Sequence, residues 1–176
     1  SPQYIVEEIA YLHDKYGVSR FWMCDDIFGL KPNWVQEFNA ELKNRKLKIK
    51  YFSQSRVDLL LKEDTIDVLA ESGLEEVWVG AESASQKILD AMDKGTKVEE
   101  IYEATRLLKN KKIRVAFFLQ FGYLTENKSD IRKTIAMVNE LRVWNLQRAG
   151  EGKPPVEIGI GLNTDQVVSG NIGSKK

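Results

Sequence analysis

Polar residues able to do chemistry gather where short apolar runs end. Asp25 and Asp26 follow the run 18–24, and Gln54, Ser55 and Arg56 follow the run 48–53. Gly80, Glu82 and Ser83 close the run 75–80; Gln120, Gly122, Tyr123 and Glu126 close the run 113–121. Carboxylates and a guanidinium on one rim suit a zwitterionic ligand, with the carboxylates facing its amine and Arg56 its carboxylate. The same residue types also suit plain capping of the helices that follow, at Asp25, Asp26, Glu82 and Asn127. Asp25 and Asp26 are adjacent, and neighbours on an extended strand point to opposite faces, so they do not share one Mg²⁺. Cys24 is the single cysteine and His13 the single histidine. That excludes an internal disulfide, a cysteine metal cage within this chain and the common histidine-based catalytic sets.

These residues need elements to carry them, and the apolar spacing supplies a helix–strand alternation. Ile5, Val6, Ile9, Leu12 and Tyr16 recur at helical spacing, and Gly17 stops that helix. Residues 18–24 read as a strand. Pro32 opens a helix bearing Trp34, Val35, Phe38 and Leu42. Residues 48–53 read as a strand, 63–72 as a helix ended by Gly73, and 75–80 as a strand. Residues 85–92 form a short helix. Thr96 and Glu99 have capping-box spacing before Val98, Ile101, Tyr102, Thr105 and Leu108. Residues 113–121 form an apolar strand whose Phe117, Phe118 and Phe121 read as core. Asn127 and Asp130 start a last long helix, and 156–162 reads as a fifth strand. Strands joined by helical crossovers give a parallel α/β sheet, either open and doubly wound or part of a β/α barrel. Function in both collects at the carboxyl ends of the strands.

Charge and composition narrow the partners. Lys and Arg number 26 against 26 Asp and Glu, so no basic excess points to nucleic acid or an anionic membrane. No apolar run reaches a membrane-spanning length, and no signal peptide opens the sequence, so a cytoplasmic protein is expected. All 17 aromatic residues lie at or before Trp144, whereas six of the 12 glycines lie from there onward. This break divides the chain into a body, 1–143, and a tail, 144–176, with linker composition over 148–155.

The body resembles the radical S-adenosylmethionine (SAM) superfamily, in its cobalamin-associated branch. The resemblance is carried by the strings Phe21 to Gly29, Gln54 to Asp58, Gly80 to Ser83, Ile88 to Gly95 and Phe118 to Tyr123. It implies an incomplete (β/α) barrel whose segments are barrel strands two to five. It further implies that Asp25 and Asp26 stand at the SAM amino group, and Arg56, Glu82 and Ser83 near its carboxylate and ribose. Gly122 belongs by the same resemblance to the adenine-side loop. The family's three-cysteine loop for a 4Fe–4S cluster belongs after barrel strand one, ahead of Ser1, and one cysteine cannot replace it.

The tail is similar to class III nucleotide cyclases, on Val156 to Thr164 and Val167 to Ser174. Two truncated families joined near 143–144 imply a chimera, about five parallel strands in all. The expectation is therefore a folded scaffold without catalysis and without an iron–sulfur cluster, or a weak SAM-binding remnant of a radical SAM enzyme. The strand at 18–24 lacks a neighbour on one side and carries Phe21, Trp22 and Met23, so a homo-oligomer through that edge is expected.

Overall fold

In the computed structural model residues 1–150 are described, except for the side chains of 141–149. The expected strand at 156–162 and the Gly-rich tail lie outside the described residues.

Among the described residues seven helices and four strands follow in order: α1 (Pro2–Tyr16), β1 (Arg20–Trp22), α2 (Trp34–Asn44), β2 (Lys50–Ser55), α3 (Val57–Leu60) and α4 (Thr65–Ser72). Then come β3 (Leu74–Glu82), α5 (Gln86–Ala91), α6 (Val98–Asn110), β4 (Arg114–Leu119) and α7 (Lys128–Gly150). Helix α1 starts on Pro2, whose missing N–H is no loss in a first turn, and stops on Gly17 at φ 69°. Helix α6 starts one residue later than the Thr96–Glu99 spacing suggests. The Glu100 carboxylate accepts from the Lys97 N–H at 2.8 Å, so the box is set by the residue that can reach back. At α7 the expected start holds: the Asn127 side chain accepts from the Ser129 N–H at 2.8 Å, and Asp130 accepts from the Asn127 N–H at 3.2 Å. The short helix α3 is absent from the sequence reading, because four residues are too few to show a helical period.

The four strands are all parallel and pair in sequence order, β1-β2-β3-β4. An order that never reverses is the course of a barrel wall; a doubly wound sheet would switch direction after its first strands. The fold is therefore a partial barrel of the radical SAM type. Among the described residues one face of the sheet is covered and the other is open. On β3, Val77, Val79 and Ala81 are buried, while Glu76, Trp78, Gly80 and Glu82 between them are half-exposed. On β2, Tyr51, Ser53 and Ser55 are buried and Phe52 and Gln54 are not. Period-2 alternation thus sorts each strand into a helix-side set and a concave-side set.

The helix side holds the core. Phe38 from α2 is fully buried among Phe28, Trp34 and Tyr51. The Tyr51 hydroxyl meets the Ser72 hydroxyl at 2.7 Å, which satisfies a buried polar atom under α4. Phe117 is buried on this side as expected, but Phe118 and Phe121 are not core: they are 39% and 37% exposed. The reason is the alternation itself, which turns Phe118 to the concave face.

The expected junction at 143–144 is crossed by α7, which runs without interruption through Gly150. Among the described residues no helix is long and apolar enough to cross a membrane.

Candidate active-site cleft

The concave face leads into a cleft of about 370 Å³ at the carboxyl ends of β2 and β3, lined by Asp26, Gln54, Arg56, Trp78, Gly80, Glu82, Lys94 and Phe118 among others. Its shape begins with an irregularity. The β3–β4 register slips between Gly80 and Glu82, so that Gly80 faces Phe118 and Glu82 faces Leu119. Glu82 takes up the slip with φ 58°, a left-handed backbone uncommon for a residue with a Cβ. A bulge of this kind re-aims the side chain at a strand end. The Glu82 carboxylate consequently meets the Lys94 ammonium, from the segment between α5 and α6, at 2.8 Å. Gly80 makes room for the pair: a Cβ there would lie 3.0 Å from a Glu82 carboxylate oxygen.

Arg56 stands at the end of β2, and its guanidinium is held by Asp58 through bonds of 2.9 and 3.3 Å. The pair is half-exposed, so its guanidinium keeps N–H groups for a ligand. Asp26 belongs to the loop after β1. That loop is fixed by the Phe28 N–H donating to the Gln54 carbonyl at 2.8 Å, with the Phe28 ring buried. Asp26, Glu82 and Asp93 supply negative charge to the cleft, and Arg56 and Lys94 positive charge. Both signs within one cleft suit a ligand that carries both.

The expected site residues thus divide. Asp26, Arg56 and Glu82 share the cleft. Asp25 is exposed and does not line it; β1 ends at Trp22, so both aspartates lie in the loop and strand alternation does not govern them. Ser83 is fully buried and bonded to Thr134 of α7, oxygen to oxygen at 3.2 Å, so its hydroxyl serves packing. Gly122, at φ 81°, donates its N–H to Glu126 at 2.6 Å and turns the loop after β4 without lining the cleft. Lys94, Trp78 and Phe118 are lining residues outside the expected set. The alternation Trp78, Gly80, Glu82 could have revealed the first aromatic; nothing local pairs Lys94 with a residue twelve positions earlier.

A buried polar network braces the same end of the sheet. Asp130 accepts from the Ser85 hydroxyl at 2.7 Å and faces the Lys87 ammonium at 3.4 Å. Those bonds, the Ser85 hydroxyl first, hold the Asp130 carboxyl below its ordinary value. The Lys87 ammonium also donates to the Thr125 carbonyl at 2.7 Å, and the Tyr123 hydroxyl to the Ala91 carbonyl at 3.0 Å. The loop after β4 is therefore fastened to α5 at several points.

No group of three His, Cys, Asp or Glu side chains able to hold a metal occurs among the described residues. A cluster held by three thiolates does not fit the residues of this chain, whose one cysteine, Cys24, is exposed beside β1.

Residues 1–138 match the Radical SAM superfamily. An uncharacterized methyltransferase of Pyrococcus horikoshii is 26% identical over 143 residues, which is 81% of this chain and 31% of that protein. The anaerobic magnesium-protoporphyrin IX monomethyl ester cyclase of Cereibacter sphaeroides is 30% identical over 139 residues, 77% of this chain and 23% of that one. In fold, the radical S-adenosylmethionine methyltransferase TsrM of Kitasatospora setae, solved with cobalamin and a [4Fe-4S] cluster bound, superposes with a TM-score of 0.69. That match has 18% identity and covers 81% of this chain and 27% of TsrM.

These matches correct two expectations. A non-catalytic chimera is overturned, because one enzyme family accounts for the chain through residue 138 and nothing in the matches supports a nucleotide-cyclase fragment. The expectation of a protein without an iron–sulfur cluster is overturned as well, since a cluster is bound in the solved relative. Its ground was a cysteine count over 176 residues, and this chain spans about a third of its curated relatives or less. Such a count speaks for this stretch alone. From the parallel partial barrel, the cleft at its carboxyl ends and the match over residues 1–138, the chain belongs to the Radical SAM superfamily.

Proposed function

We propose that this chain forms the SAM-binding cleft of a radical SAM enzyme, with methyl transfer as the reaction class. The observation that carries the reading is the Glu82–Lys94 pair, 2.8 Å apart, in a cleft shared with Arg56 and Asp26. The methyltransferase names of two relatives support the reaction class. In this reading Lys94 and the free N–H groups of Arg56 hold the ligand carboxylate. Asp26 and Glu82 balance its ammonium and sulfonium charges, and Trp78 and Phe118 flank its apolar parts. When bound, SAM supplies the methyl group; the side chains of this chain bind and orient it.

S-adenosylhomocysteine titrated into the full chain by calorimetry is expected to bind with Kd between high micromolar and millimolar, roughly −4 to −6 kcal/mol. Lys94→Ala and Glu82→Gln should each weaken it by about tenfold, because each removes a charge-assisted contact. No heat at millimolar ligand, or full affinity in both variants, defeats the reading.

We propose further that β1 pairs with a second copy of the chain. Supporting this, among the described residues β1 pairs only with β2, and Trp22 on β1 is 54% exposed. Sedimentation at micromolar concentration should give a dimer that Trp22→Glu dissociates; a monomeric wild type would refute it.

A further inference from the structure

We propose that Glu76 is a positioning residue for the cleft, acting through Trp78. The proposal rests on the reading of the cleft as a SAM site, and it concerns a residue that does not touch that site.

Trp78 is the aromatic wall of the cleft on β3. Its ring lies in a row on the concave face, with ring centres 6.4 Å from Trp22 and 5.3 Å from Phe118. Packing of flat rings leaves an indole free to choose which edge it presents, since both edges fill similar space. The choice is made by its one polar atom. The Trp78 indole N–H donates to one Glu76 carboxylate oxygen at 2.8 Å. The other oxygen of Glu76 accepts from the Arg114 guanidinium at 2.8 Å. Glu76 and Arg114 are direct partners in the β3–β4 register, so the carboxylate is fixed from the neighbouring strand. Arg114 in turn lies over the Phe52 ring, 5.8 Å from its centre.

The direction of the bond matters. Glu76 is two residues toward the amino end of β3, whereas the cleft lies toward its carboxyl end at Gly80 and Glu82. The bond therefore aims the indole N–H away from the cleft, and the ring turns carbon toward a ligand beside the Glu82–Lys94 pair. A half-exposed indole N–H without that acceptor turns to water, and the ring loses the bond that fixes which edge it presents. Removing Glu76 thus loosens the wall of the cleft.

The test reads the ring and the ligand separately. In the full chain, Trp78→Phe identifies the indole ¹H–¹⁵N resonance of Trp78. In the wild type that proton is expected to be shifted downfield and slow to exchange. Glu76→Met keeps the bulk but removes the acceptor: the proton should exchange at least about tenfold faster, and S-adenosylhomocysteine should bind about tenfold more weakly. Glu76→Gln keeps one acceptor oxygen but turns an amide NH2 toward the second donor, so it should fall between the wild type and Glu76→Met in both readouts. Faster exchange with unchanged affinity in Glu76→Met, or unchanged exchange, overturns the proposal, as does a Glu76→Gln protein no better than Glu76→Met in either readout. If the wild type does not bind the ligand while the indole signal responds as expected, the ring is positioned as proposed and the SAM reading alone falls. A Glu76→Met protein that does not fold is replaced by Arg114→Met. That variant frees the carboxylate from its anchor and should speed exchange and weaken binding in the same direction; no change in either sinks the proposal.

Discussion

Gly73→Ala is expected to leave the chain unfolded, or to lower its melting temperature by more than about 10 °C, the equivalent of a loss above roughly 4 kcal/mol. Gly73 ends α4 at φ 102°, where a residue with a Cβ is strained. Space is the larger difficulty: an added Cβ would lie 2.1 Å from the Ile49 carbonyl oxygen, a backbone atom. Relief by local movement is costly, because the Gly73 carbonyl accepts from the Tyr51 N–H at 3.1 Å and so helps to register β2. Gly17→Ala is the control. It has a similar cap geometry, φ 69°, yet nothing within 4 Å of the added atom, so it should cost only about 1 kcal/mol. Thermal melts followed by circular dichroism separate the two; equal effects would show that backbone angle and not the contact is the cause.

Phe38→Ala should cost about 3–5 kcal/mol in urea denaturation, the range for deleting a buried aromatic. Phe38 has no exposed surface and touches three rings, with centres 5.6 Å to Phe28, 5.3 Å to Trp34 and 5.7 Å to Tyr51. Its effect should extend to the cleft, because Phe28 anchors the loop that carries Asp26. Affinity for S-adenosylhomocysteine is therefore expected to fall in Phe38→Ala under conditions where the protein remains folded. Phe38→Leu, which refills most of the volume, should lose less than about 1.5 kcal/mol. A loss under 1 kcal/mol in Phe38→Ala would mean that the four rings do not form one packed unit.

Much of the fold is written locally. The 3.6-residue period of Val6 and Ile9, the cap glycines Gly17 and Gly73 and the mutual capping of Asn127 and Asp130 each depend on residues within one or two turns. Local free energies can be read from local spacing, so six of the seven helices and all four described strands were legible, with ends shifted by a few residues. The motif strings did the same for the family: they placed Asp26, Arg56 and Glu82 at strand ends, where the cleft contains them. Reading the tail as a second family from a short string gave a chimera that the matches to known proteins do not support.

What the tertiary structure decided is which groups meet. Ser83 follows Glu82 and shares its strand end, yet one faces α7 and the other the cleft, because a bulge between Gly80 and Glu82 resets the direction of each side chain. Lys94, beyond α5, meets Glu82 at the end of β3 although twelve positions separate them in the chain. Phe117 and Phe118 are chemically identical and adjacent, and strand pleating buries one and opens the other. The sequence determined the elements and the residue types at their ends, because those follow from short-range sterics and apolar periodicity. Partner choice was decided by strand register and crossover packing, which couple residues far apart in the chain and leave no mark on any short stretch of it.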